Sequence, residues 1–132
     1  DALVVRSLDP LARLDCKLAV APDFGINKVW SESFPEIGLK CNAGVMVFNS
    51  PDIWPMFKAL WEEYWPRLNH VTYFDELLFT IMNHRVGVTL PIFYNMPPDD
   101  DMLGMLSSGV RVIHFSGDRK HLIKNLVSWY QL

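Results

Sequence analysis

Cysteine is nearly absent from this sequence. Cys16 and Cys41 are the only two in 132 residues, too few and too widely spaced for a zinc site or a disulfide scaffold. A surplus of positive charge is lacking too: twelve Lys and Arg stand against fifteen Asp and Glu, a net charge of −3. Without a basic stripe, nucleic acid is not an expected partner. Apolar runs such as Val45-Met46-Val47-Phe48 are far too short to span a membrane. Neither a secretory-signal pattern nor an Asn-x-Ser/Thr sequon occurs. The absence of Gly-x-Ser-x-Gly disfavours a serine hydrolase. His70, His84, His114 and His121 show no HxxxH or HExxH spacing, which disfavours a histidine-based metallohydrolase. No internal repeat, low-complexity segment or linker is visible. The chain opens at Asp1 in what reads as the end of a strand, so a fragment is expected. A missing signal or anchor then says little about the parent protein.

What is present is the material of a core. Half of the residues are hydrophobic and 13% are aromatic, and the length suits one domain. Residues 1–5 read as extended, and Leu8-Asp9-Pro10-Leu11 as a turn into a short helix with Asp9 at its cap. Leu18-Ala19-Val20-Ala21 reads as a strand stopped by Pro22. Residues 23–38 form a long loop of the kind that covers a site. Lys40 to Asn49 (KCNAGVMVFN) predicts a central strand buried on both faces. Asp52 is expected to cap the next helix, with Pro55 in its first turn and Trp54, Phe57, Trp61 and Trp65 on one stripe that packs into the core. Thr72 to Arg85 predicts a second helix, with Thr72 and Asp75 in a capping-box pattern. Val86–Leu90 follows as a short strand, then the loop Tyr94–Pro98 and a solvated acidic tip at Asp99-Asp100-Asp101. A terminal helix is expected over Leu122–Tyr130. Alternating strands and helices predict an α/β fold.

The stretch Val110 to Lys120 stands apart. A β-branched run ends at His114, a turn follows at Ser116-Gly117, and Arg119 and Lys120 come next. Strand, imidazole, turn and cation in this order could deliver a metal ligand and a phosphate binder to one point. A core histidine, an ordinary turn and a solvated basic surface fit the same eleven residues.

Three stretches in order, NAGVMVFN at 42–49, DELLF at 75–79 and HFSGDRK at 114–120, resemble glycosyltransferase family 8, which includes glycogenin. LPIFYN at 90–95 and APD at 21–23 are supporting matches. The resemblance covers most of the chain. It implies a GT-A nucleotide-diphospho-sugar transferase fold, here incomplete, with the N-terminal nucleotide-binding half outside the sequence and a single partial domain over residues 1–132. It implies a retaining hexosyl transfer from a UDP-sugar donor to a carbohydrate or protein acceptor and a divalent metal (Mn2+, or Mg2+); the compartment of the parent, cytoplasm or Golgi lumen, stays open. A homodimer is among the expected assemblies.

Residue by residue, the resemblance makes Asp1 the second aspartate of an Asp-x-Asp motif and pairs it with His114 as metal ligands. Asn42, Ala43, Gly44 and Asp75 would line the donor-sugar pocket, and Gly117 and Lys120 would approach the diphosphate. Asp75 and Glu76 are the catalytic candidates. The chemistry agrees: charge builds on phosphate oxygens as the anomeric bond breaks, and a metal and a lysine stabilise it there. Plainer roles exist for Asn42 (a satisfied polar group at a strand edge), Asp75 (a helix cap) and Lys120 (a surface cation). Two departures stand out. The family's Gln after Asp75 is here Glu76, and Lys120 is followed by His121-Leu122 rather than Pro-Trp. Glu76 is the feature that would favour a non-catalytic nucleotide-sugar-binding relative. A sugar nucleotidyltransferase is a further alternative, marked by a Gly-rich phosphate loop that would lie upstream.

Overall fold

The computed structural model describes residues 2–23, 40–98, 102–115 and 122. The chain divides into two compact units, Leu14–Pro91, and Asp1–Arg13 with Ile92–Leu132.

Among its described residues the Leu14–Pro91 unit holds three strands and two helices: β2 (Leu18–Pro22), β3 (Cys41–Phe48), α1 (Ile53–Leu68), α2 (Phe74–Val86) and β4 (Gly87–Thr89). The sheet order is β3-β2-β4, with β2 antiparallel to β3 and parallel to β4. The central strand is β2, whose apolar run is buried along its whole length. The sequence pattern assigns that place to β3, and the structure corrects it. Cys41 and Asn42 of β3 are buried, whereas Gly44 and Phe48 are exposed. Among the described residues β3 pairs only with β2, so its outer side lacks a neighbouring strand. The register also shifts: Val20 faces Met46 but Ala21 faces Asn42, so residues 43–45 bulge out of the ladder. Gly44 is the local signal for such a break in a strand.

Helix α1 follows Ser50-Pro51-Asp52, and Pro55 sits harmlessly in its first turn. Asp52 occupies the cap position, but its carboxylate makes no capping bond. It turns instead to Lys17 Nζ at 3.2 Å. Ile53 and Leu60 are buried in the core. The aromatic stripe divides. Phe57 stacks on Phe79 at 4.8 Å, and Trp61 meets Phe74 edge-on at 5.0 Å. Trp54 and Trp65, at the two ends, are 57% and 41% exposed, so only the middle of the stripe is core.

Helix α2 begins one residue later than the capping-box pattern predicts. Its cap is Tyr73, left-handed at φ 58° and ψ 45°, with no side-chain capping bond. Thr72 therefore lies outside the helix, and Glu76 falls at the third helical position, where its side chain reaches β3 rather than the cap. Every residue from Leu77 to Asn83 is buried, which marks α2 as the central helix of the unit. It ends at Gly87, where an added Cβ would stand 2.3 Å from Asn83 Oδ1 and 2.8 Å from Asn83 Cα. Because one of those atoms is backbone, the helix end must shift to admit a side chain. Gly87→Ala is expected to destabilise by about 1–3 kcal/mol. Chemical denaturation checks this, and an unchanged midpoint would contradict it.

In the other unit, β1 (Ala2–Val4) pairs antiparallel with β5 (Val112–His114), Ala2 facing His114. The predicted buried strand is borne out: Val110, Val112, Ile113 and Phe115 are all buried. The turn after Asp9 is a single 3-10 turn over Leu11–Arg13. A six-residue helix α3 (Met102–Ser107) has no counterpart in the sequence reading, since Gly104 interrupts a segment too short to show a helical period. The terminal helix, apart from Leu122, and the acidic tip lie outside the described residues. Among the described residues no helix is long and apolar enough to cross a membrane.

Candidate functional site

The bulge in β3 determines how Asn42, Ala43 and Gly44 are presented. Asn42 Oδ1 accepts the Gly44 N–H at 2.8 Å, curling the chain over its own side chain. Asn42 Nδ2 donates to Glu76 Oε1 at 3.1 Å, and the Ala43 N–H reaches the same oxygen at 3.4 Å. Thr80 ties the two elements one turn further along. Its hydroxyl donates to the Glu76 carbonyl at 2.8 Å and accepts the Cys41 N–H at 3.1 Å. Burial pushes the Cys41 thiol up to about 11, so Cys41 is a neutral packing group. Asn42, Ala43, Gly44 and Glu76, predicted from separate stretches, thus meet at one corner of β3 and α2. Asp75 is exposed beside them in the first turn of α2, where the helix dipole favours negative charge.

Two charges that sequence reasoning did not assign complete the corner. Lys40 Nζ lies 2.6 Å from Asp23 Oδ2 and 3.9 Å from Glu76 Oε2. The Lys40, Asp23 and Glu76 side chains are only 18%, 17% and 13% exposed, so solvent screens them weakly. The available signals were a lysine opening an otherwise apolar strand and an aspartate directly after the proline that ends β2.

Burial raises the Glu76 carboxyl above its usual range. The Lys40 charge and the Ala43 N–H oppose that rise, while Asp23 and Asp75 add to it. A carboxyl that holds its proton more tightly when folded contributes stability fully below its ordinary pKa. That contribution is lost as pH rises through the raised value. Glu76→Gln is therefore expected to gain stability relative to wild type at neutral pH and to lose the gain near about pH 4. Denaturant titrations at both pH values check this, and a relative loss on moving to neutral pH would contradict it.

In the second unit, His114 ends β5, half-buried, and its Nδ1 lies 3.0 Å from Asn95 Oδ1. An amide oxygen only accepts, so Nδ1 carries the proton and the ring's lone pair is on Nε2. Asn95 is buried and is held on both sides in sequence. Its N–H donates to the Ile92 carbonyl at 2.9 Å, and Met96 bridges β5 at Ile113. A metal-ligating histidine has this kind of support, so His114 fits an expected ligand. Among the described residues, no three or more His, Cys, Asp or Glu side chains cluster in a way that could hold a metal ion. Asp1, Gly117, Lys120 and, apart from Asp23, the loop expected over residues 23–38 lie outside the described residues.

No family model matches the chain, and no curated protein does. A solved structure does: the galactosyltransferase LgtC, in complex with donor and acceptor sugar analogs. The match has a TM-score of 0.57 and 23% identity, and it covers 89% of this chain and 50% of that one. The chain spans half the length of that enzyme. The mixed α/β architecture is that of part of a GT-A glycosyltransferase fold.

Proposed function

We propose that this chain is part of a metal-dependent retaining glycosyltransferase that moves a hexose from a UDP-sugar to a carbohydrate or protein acceptor. The observation that carries the reading is the corner at which the β3 bulge presents Asn42, Ala43 and Gly44 beside Asp75 and Glu76, on a fold shared with a galactosyltransferase. Gly44 lets a sugar ring lie against backbone. Asn42 and Asp75 offer the donors and acceptors that read hydroxyl groups. Gly117 and Lys120 keep their proposed role at the diphosphate. His114 and Asp1 would hold the divalent ion, with imidazole tilting the choice toward manganese. When bound, that ion neutralises charge on the departing diphosphate.

Glu76 bears on the stereochemical route. Its Oε1 accepts from Asn42 and Ala43, and its Oε2 faces Lys40. A carboxylate committed in this way supports attack by the acceptor from the face of the departing diphosphate, with Glu76 supporting the pocket rather than forming a covalent adduct. The test is transfer by the full-length protein from a panel of UDP-hexoses with manganese, with the anomeric configuration of the product read by NMR. Retention of configuration is expected. Failure to release UDP from any donor, with or without sugar acceptors, would overturn the reading.

A separate prediction concerns the metal. His114→Ala should raise the manganese concentration needed for half-maximal activity by about tenfold or more, with excess manganese restoring part of the rate by mass action. An unchanged manganese titration would make His114 a core residue only.

A further inference from the structure

Asn42 can face its neighbours in two ways, and the corner allows one. With Nδ2 toward Glu76 and Oδ1 toward the Gly44 N–H, both contacts are hydrogen bonds. With the amide turned over, an NH2 would meet the Gly44 N–H and an oxygen would meet a carboxylate. An ionised carboxylate only accepts, so it enforces the first orientation from the α2 side; a protonated one can donate, and leaves the Gly44 N–H alone to hold the amide. Burial favours that protonation, and Asp23 and Asp75 add negative charge from β2's end and from α2 itself. Lys40 is the cation set against them.

We infer that Lys40, braced by Asp23, is a positioning residue: it fixes the Glu76 carboxylate against Asn42, and Glu76 and the Gly44 N–H together hold the Asn42 amide in one sense. What Asn42 then offers a ligand is one remaining N–H and one remaining lone pair in a fixed sense, a pattern suited to adjacent hydroxyls of a hexose. The consequence for sugar transfer rests on the proposed function; the orientation of Asn42 does not. Lys40 is needed because residue 76 is Glu. With a neutral Gln there, Oε1 accepts from Asn42 and Ala43 without a counter-charge.

The test combines carboxyl and side-chain amide NMR on the full-length protein with donor kinetics. In Lys40→Met the Glu76 titration midpoint should rise and the Asn42 side-chain amide signals should move at neutral pH. Asp23→Asn should move the midpoint the other way, and Lys40→Arg should leave it near wild type. In kinetics, Lys40→Met should raise KM for the UDP-hexose about tenfold, the size of one lost hydrogen bond, with kcat little changed. In the Glu76→Gln background the same substitution should change KM less than about twofold. An unmoved Glu76 midpoint in folded Lys40→Met, or equal effects in both backgrounds, would overturn the inference. Should Lys40→Met fail to fold, the Asp23→Asn midpoint decides, and a rise or no change overturns it. If the NMR signatures move as stated but no variant or wild type transfers sugar, the proposed function fails and the positioning role stands.

Discussion

Asp75→Asn is expected to lower kcat/KM for sugar transfer about a hundredfold while leaving the fold intact. The estimate rests on one hydrogen bond between a charged group and substrate, worth about 1.5–3 kcal/mol. Asp75 is exposed in the first turn of α2, directly before Glu76, on which its charge acts. Phe74 and Leu77 are buried in the core on either side of it, so the turn that carries Asp75 is fixed by packing rather than by Asp75 itself. The substitution is nearly isosteric and keeps an acceptor, so a collapse of stability is not expected. Steady-state kinetics with circular dichroism as a folding control check this. Wild-type kinetics in a folded Asp75→Asn protein would reduce Asp75 to a residue that decorates a helix start.

The second large effect is on stability. Leu78→Ala is expected to destabilise by about 3 kcal/mol, the usual cost of a buried leucine truncated to a cavity. Leu78 is fully buried in the cluster that also contains Leu18, Val20, Ile53 and Leu60. The same helix carries Asp75 and Glu76, so the loss should appear as a smaller folded fraction. The molecules that remain folded should keep the wild-type KM. Urea denaturation checks the magnitude, and a loss below about 1 kcal/mol would mean that α2 is not the central helix of its unit.

Periodicity and turn chemistry located the elements well. The run at Leu18–Ala21, the strand from Cys41, the helices after Asp52 and after Thr72, and the buried strand ending at His114 are all present. What local sequence could not show was rank within the sheet. Leu18–Pro22 is only five residues long but is central, while the longer apolar run at Cys41–Phe48 leaves one side unpaired among the described residues. An apolar run reports burial in general, and strand order is set by contacts far away in sequence. The caps are legible only in part: Asp52 takes the expected cap position without a capping bond, and Thr72 does not take its own. Asp52 and Thr72 have the right chemistry for capping, but Asp52 is drawn to Lys17, and the chain enters α2 through a left-handed Tyr73.

The site was legible in its motif residues and not in its supports. Asn42, Gly44 and Glu76, named from separate stretches, come together at one corner. Lys40 and Asp23, which hold Glu76 in place, lie far apart in sequence; Asp23 ends the supporting match at 21–23 without a role attached to it, and Lys40 belongs to none of the matches. Asn95, which orients the His114 ring, lay inside a supporting match without a role attached to it. Partners of this kind are set by the fold, and only three-dimensional proximity identifies them.

The central claim is that the corner of β3 and α2 receives the sugar of a nucleotide-sugar donor. It is tested most directly by backbone and side-chain amide NMR of the full-length protein, titrated in parallel with UDP-hexose and with UDP alone. A non-reacting donor analogue and a diamagnetic divalent ion keep the comparison free of turnover and of broadening. The Gly44 N–H and the Asn42 side-chain amide should shift with the sugar-bearing ligand and stay nearly still with UDP. Identical shifts with both ligands, or no shift at either group under saturating donor, would contradict it.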